Sequence, residues 1–132
     1  MLRLARLFRV SGARPSPEPA DRKGLFMGWI ILAIAVFTEI CWALSLKWAA
    51  TVGTWQASAV PVTLSFVNMA LLAFAMREIS AGTAYAIWTG LGAVGVIIGG
   101  ILLFGEKVGA VQVGFMALIV IGVVGTKLFS AG

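Results

Sequence analysis

The run MGWIILAIAVFTEICWALSLKW, residues 27–48, carries one charge, Glu39, before it reaches Lys47. A stretch of this length and apolarity crosses the ~30 Å hydrocarbon core of a bilayer as a helix. Glu39 sits about eleven residues into it, ~16 Å below the start at 1.5 Å per residue, close to the bilayer midplane. A carboxylate at that depth costs about 2.5–3.5 kcal/mol on insertion scales, so it faces a protein interior or a water-filled cavity. Trp42 stands three residues on, one helical turn along the same face. Two readings follow. Either the carboxylate is a working site, the default for an intramembrane acid, or it is a protonated side chain hydrogen-bonded to a neighbouring helix as glue.

The rest of the chain repeats the pattern without the acid. Of 132 residues 61% are hydrophobic and 11% charged, far from a soluble composition. Charges and turn residues delimit four spans, 28–50, 58–76, 83–104 and 110–129. The brief connections TVGTWQA, REISAG and GEKVG make sequential spans antiparallel neighbours. The predicted fold is all-α and integral to the membrane, with four transmembrane helices per chain. Residues 1–26 read differently: six of the ten basic residues lie there, and SGARPSPEPADRKG holds three of the four prolines. That segment is expected to be a basic, disordered leader, with MLRLARLFRV as a short amphipathic turn or two, or a start-site artefact preceding Met27. Beyond it no basic surface remains for nucleic acid. With no histidine and one cysteine, Cys41, imidazole chemistry is excluded and neither a zinc site nor a disulfide framework is expected. The chain reads as a transporter with no cofactor, not as an enzyme.

Aromatic residues sort by depth. Trp29, Trp48 and Trp55 fall near span ends, where an interfacial belt accounts for them. Trp42 and Trp88 lie well inside, where each indole N–H needs a partner, and are expected to line a polar cavity. In GTAYAIWTG (82–90), Tyr85 shares a face with Trp88; beside a carboxylate, two rings and a phenol suit a cation. The GLGAVG at 90–95 matches a dinucleotide fingerprint, but it lies inside a charge-free span with no preceding strand. Its glycines are read as points of close helix contact or a kink. Gly114, Ala117 and Gly122 give the fourth span a flat face, suited to a second copy. Four helices with one carboxylate make half of a transport pathway, since such pathways are commonly built from two repeats about a midplane site. A dimer placing two Glu39 side chains in one cavity completes it.

The segments EICWALSLK (39–47), NMALLAFAM (68–76), GTAYAIWTGLGAVG (82–95) and ALIVIGVVGTKL (117–128) closely resemble the small multidrug resistance family, and most of all its guanidinium-exporting branch. The resemblance covers about residues 27–129. Trp42 and Lys127 separate the chain from the drug-exporting branch, which usually has glycine at the first position and lacks lysine at the second. The resemblance implies an antiparallel, dual-topology dimer in the bacterial inner membrane, exchanging protons for a cation. It assigns Glu39 as the shared binding residue, Trp42, Tyr85 and Trp88 as binding-site aromatics, and Gly90, Gly92 and Gly95 as a helix kink. Asn68 departs from it: the branch usually has serine there, hydrogen-bonded to the central glutamate. The proline usual before the third helix is also missing, replaced by ISAG.

Two carboxylates in one cavity titrate as a pair, and a guanidinium ion offers planar donor pairs that match them. Protons and guanidinium then compete for one site, and a dimer that changes sides only when neutralised exchanges two protons for one cation. The alternatives are a quaternary-ammonium exporter of the same family, one subunit of a heterodimer, and a non-transporting membrane subunit. Charge bears on the dimer question. From Met27 onward, Arg77 and Lys127 fall on one side and Lys47 and Lys107 on the other, a balance that permits both orientations. The leader's charges would favour one.

Overall fold

The computed structural model describes residues 21–130, and among them every regular element is helical. Helix α1 spans Arg22–Val52, α2 Ala59–Ala75, α3 Ala81–Phe104 and α4 Ala110–Phe129, with a 3₁₀ turn at Trp55–Ser58. Counting that turn with α2, all four are long and apolar enough to cross a membrane. The amphipathic turn at 1–10 and most of the expected leader lie outside the described residues.

Helix α1 begins six residues before Gly28. Asp21 caps it by accepting from the Lys23 backbone N–H at 3.1 Å, an arrangement that satisfies one of the orphan donors at a helix start. Residues 22–26, expected in the disordered leader, are therefore helical. At the far end Gly53 adopts φ 71°, a left-handed C-cap that only glycine takes without strain. The 31 residues between span roughly 46 Å, which puts Glu39 near the middle of the helix. The shorter α2 gains its reach from the preceding 3₁₀ turn.

Helix α1 packs against both α2 and α3, and α4 packs chiefly on α3. The core is built from small residues at the crossings: Ala35, Ala75 and Ala84 are completely buried, with Leu32, Leu72, Ile87 and Trp88 filling the gaps between them. Small side chains let backbones approach in lipid, where apolar area by itself drives no association. Ile79, in the connection between α2 and α3, inserts into this core. Beside it Glu78 lies along Gly28, nearly two turns into α1, where an added β-carbon would come within 2.8 Å of Glu78 Cβ. Phe37, Phe66, Leu102 and Phe115 point outward, as a lipid-facing surface requires.

The glycines of GLGAVG are contact points on two faces of α3, which is α-helical throughout. A side chain at Gly90 would run into Val123 of α4, one at Gly92 into Glu39, and one at Gly95 into Ile40. Gly99 meets Leu44 in the same way. The 3- and 4-residue spacing of Gly92, Gly95 and Gly99 keeps one face of α3 bare along α1.

At the end of the bundle away from Asp21, Lys47 forms an ion pair with Glu106 and lies 4.9 Å above the Phe104 ring. Lys127 lies 4.8 Å above the Trp29 ring at the other end.

Substituting Gly95→Leu should destabilise the detergent-solubilised protein by about 1–3 kcal/mol through overpacking. Gly82→Ala, at an exposed site with open space around it, should be neutral or stabilise by up to about 1 kcal/mol. Thermal unfolding followed by circular dichroism checks both.

Candidate functional site

A cavity of about 110 Å³ adjoins the Glu39 carboxylate, lined by Glu39 and Trp42 of α1, Ser65, Asn68 and Met69 of α2, and Trp88 of α3. Three helices thus contribute, and each does so for a local reason. Glu39 and Trp42 share a face of α1 at i, i+3, as do Ser65 and Asn68 on α2. Gly92 admits the Glu39 side chain against α3: a β-carbon there would sit 3.0 Å from Glu39 Cγ. Ser45 needs nothing from the cavity, since its hydroxyl donates to the Trp42 carbonyl at 2.7 Å.

Asn68 is 1% exposed, and its Nδ2 donates to Glu39 Oε2. The direction follows from chemistry, because an ionised carboxylate only accepts. Among the described residues, two buried side-chain polar atoms make no hydrogen bond: Asn68 Oδ1 and Trp88 Nε1. Both residues line this cavity. Buried polar groups are almost always paired, and a pair of exceptions beside one carboxylate marks a place where a ligand or a moving side chain completes them.

The structure brings together Glu39, Trp42, Asn68 and Trp88. It leaves Tyr85 out of the lining: that ring is half exposed, packed on Trp88 with centroids 5.4 Å apart at 51°. Ser65 and Met69 were not anticipated. The signal for Ser65 was its position one turn before Asn68, while Met69 carried none. Trp42 and Ser65 also line a larger groove of about 730 Å³ between α1 and α2, which runs past Ala49 and Pro61 to Gly53 and Trp55 at the membrane edge. That groove adjoins the Glu39 cavity through the two residues they share. Gly114 and Gly122 lie exposed on α4 with open space above them, and Ala117 is exposed as well.

A family model described as Small Multidrug Resistance protein matches residues 27–119. Among curated proteins, the Guanidinium exporter of Escherichia coli (strain K12) is 48% identical over 102 residues, covering 77% of this chain and 97% of that protein. The Guanidinium exporter of Salmonella typhimurium is 46% identical over 102 residues, with the same coverage of each chain. That of Proteus vulgaris is 44% identical over 104 residues, 79% of this chain and the whole of that protein.

Gly92→Ala presses on the Glu39 side chain and should weaken cation binding severalfold while leaving helix content intact. Quenching of tryptophan fluorescence by added guanidinium, with Gly82→Ala as control, measures it. An unchanged affinity would mean that packing against α3 does not hold the carboxylate.

Proposed function

Since this chain belongs to the small multidrug resistance family, we propose that this multi-pass membrane protein is a proton-coupled antiporter that exports guanidinium and small guanidinyl cations across the bacterial inner membrane. The observation that carries this reading is the Glu39 carboxylate at mid-helix, held by Asn68 beside a cavity that two tryptophans line. The relatives named above as guanidinium exporters support the substrate.

Glu39 binds either a proton or the cation. In its ionised form it neutralises a guanidinium ion and accepts its N–H groups; once protonated, it has no charge to offer and the cation leaves. Trp42 and Trp88 confine the ion against the carboxylate, and ring faces favour a cation. The working unit is an antiparallel dimer with two Glu39 residues in one central cavity. The open small-residue face of α4 at Gly114, Ala117 and Gly122 is the surface proposed for pairing, and Tyr85 reaches the site from its place beside Trp88 once two copies meet. Two protons entering for one cation leaving lets the proton gradient drive export.

Glu39→Gln should fold and insert yet abolish proton-coupled guanidinium uptake in proteoliposomes, because the amide neither holds the cation nor releases a proton. Exchange that survives this substitution would overturn the proposal. In wild-type protein, guanidinium binding should weaken as pH falls, since protons occupy the same carboxylate, and added guanidinium should release protons from protein in weakly buffered solution.

The dimer makes a separate prediction. Gly122→Leu should shift the purified protein towards monomer in analytical ultracentrifugation and remove transport. In a chain begun at Met27, C-terminal reporters should give signal from both sides of the membrane. A one-sided signal would rule out the antiparallel homodimer.

A further inference from the structure

Helix α4 packs on α3, and nowhere does its backbone come close to that of α1. A cleft therefore separates the first and last helices, and it holds a cavity of about 360 Å³ that shares no residue with the one at Glu39. Trp29, Ala33 and Val36 of α1 form one wall, Val124 and Lys127 of α4 the other, and Leu91 of α3, the helix both pack against, belongs to the floor. From Trp29 to Val36 the cavity runs about 10 Å along α1, inward from the end of the bundle where α1 starts and α4 stops. Ala33, Val124 and Lys127 are exposed, so the cleft opens towards lipid.

At its mouth Lys127 Nζ lies 4.8 Å above the Trp29 ring. A ring face attracts the ammonium but brings no full countercharge. Among the described residues the one ion pair is Lys47 with Glu106, at the opposite end. The carboxylates described at this end are engaged elsewhere: Asp21 caps α1, and Glu78 lies against Gly24 and Gly28. An apolar cleft thus ends in a cation without a carboxylate partner, at the height of the membrane surface.

We propose that this cleft is a binding site for an anionic phospholipid, with an acyl chain in the cavity and the headgroup phosphate on Lys127. Water needs two or more polar partners to occupy a cavity, and this lining does not supply them, so hydrocarbon fills it. Any acyl chain does so about equally well, because apolar area drives no association in lipid. The choice among lipids therefore falls to the headgroup, and an ammonium between helices at the surface favours those with net negative charge. Trp29 holds the ammonium at that height, since an amphipathic indole settles at the interface. A cation is the wrong occupant: the charge in this lining is positive and no carboxylate faces it.

Native mass spectrometry of the full-length protein in detergent tests this, with an equimolar mixture of phosphatidylglycerol and phosphatidylcholine bearing the same chains. Wild-type protein should carry about fivefold more phosphatidylglycerol, the order expected of one lysine near a membrane surface. Lys127→Gln should bring the ratio to about one, whereas Lys127→Arg should keep it. Lys107→Gln, at an exposed lysine of the opposite end, should keep it too. Ala33→Leu, which fills the cavity, should lower both adducts together. A wild-type ratio near one overturns the proposal. So does a ratio that survives Lys127→Gln or falls as far in Lys107→Gln, since charge anywhere on the surface would then be enough. Adducts unchanged in Ala33→Leu would also overturn it, and a loss of dimer in that variant would assign the cleft to a second copy instead. Selective loss of phosphatidylglycerol on adding excess inorganic phosphate would make Lys127 a site for a free anion and not for a lipid.

Discussion

A single carboxylate at the middle of a membrane helix constrains everything around it. Glu39 costs several kcal/mol at that depth, and the surrounding elements are arranged to offset the cost. Asn68 on α2 supplies a donor from an almost wholly buried position. Gly92 on α3 gives way so that the side chain fits between helices. Trp88 closes the space from the same helix. These three residues come from two different neighbours of α1, so α1 has to lie between them. The order of packing in the bundle, with α2 and α3 both on α1 and α4 chiefly on α3, is the order that surrounds this group.

Helix α3 turns that requirement into geometry. One face, Gly92, Gly95 and Gly99, is stripped of side chains along α1, where Glu39, Ile40 and Leu44 approach. Gly90, on another face, meets Val123 of α4. Lipid offers apolar chains as good a contact as protein does, so helices gain from meeting mainly where backbones can come close and polar groups can pair. The first condition is met on α3, against α1 and α4, and the second between α1 and α2, where Asn68 donates to Glu39; the small-residue face of α4 stays exposed.

The cavity itself is economical. Its ion-neutralising group is Glu39, and its remaining polar character comes from an amide, a serine hydroxyl and two indoles. Such a set has no nucleophile–base pair and no metal-ligand cluster. It is suited to holding a cation and letting it go when a proton takes its place. A larger groove between α1 and α2 shares Trp42 and Ser65 with the cavity.

Four spans, the depth of Glu39 and the internal placement of Trp42 and Trp88 were legible in the residues, because run length, charge position and one-turn spacing are properties of a single helix. The family resemblance supplied Asn68 as a partner for Glu39. What was not legible concerns relations between helices. A helix that is apolar all round has no polar stripe to reveal which way it turns, so beyond the place of Ser65 one turn before Asn68 nothing in the residues showed that Ser65 and Met69 would line the cavity, or that Tyr85 would sit outside it. The start of α1 at Arg22 depended on the Asp21 cap overriding a loop-like composition. Lys47 and Glu106, 59 residues apart, meet only because α1 and α3 run parallel and end together. Rotation and register between helices are set by which side chains can interpenetrate, and that is settled when the bundle packs.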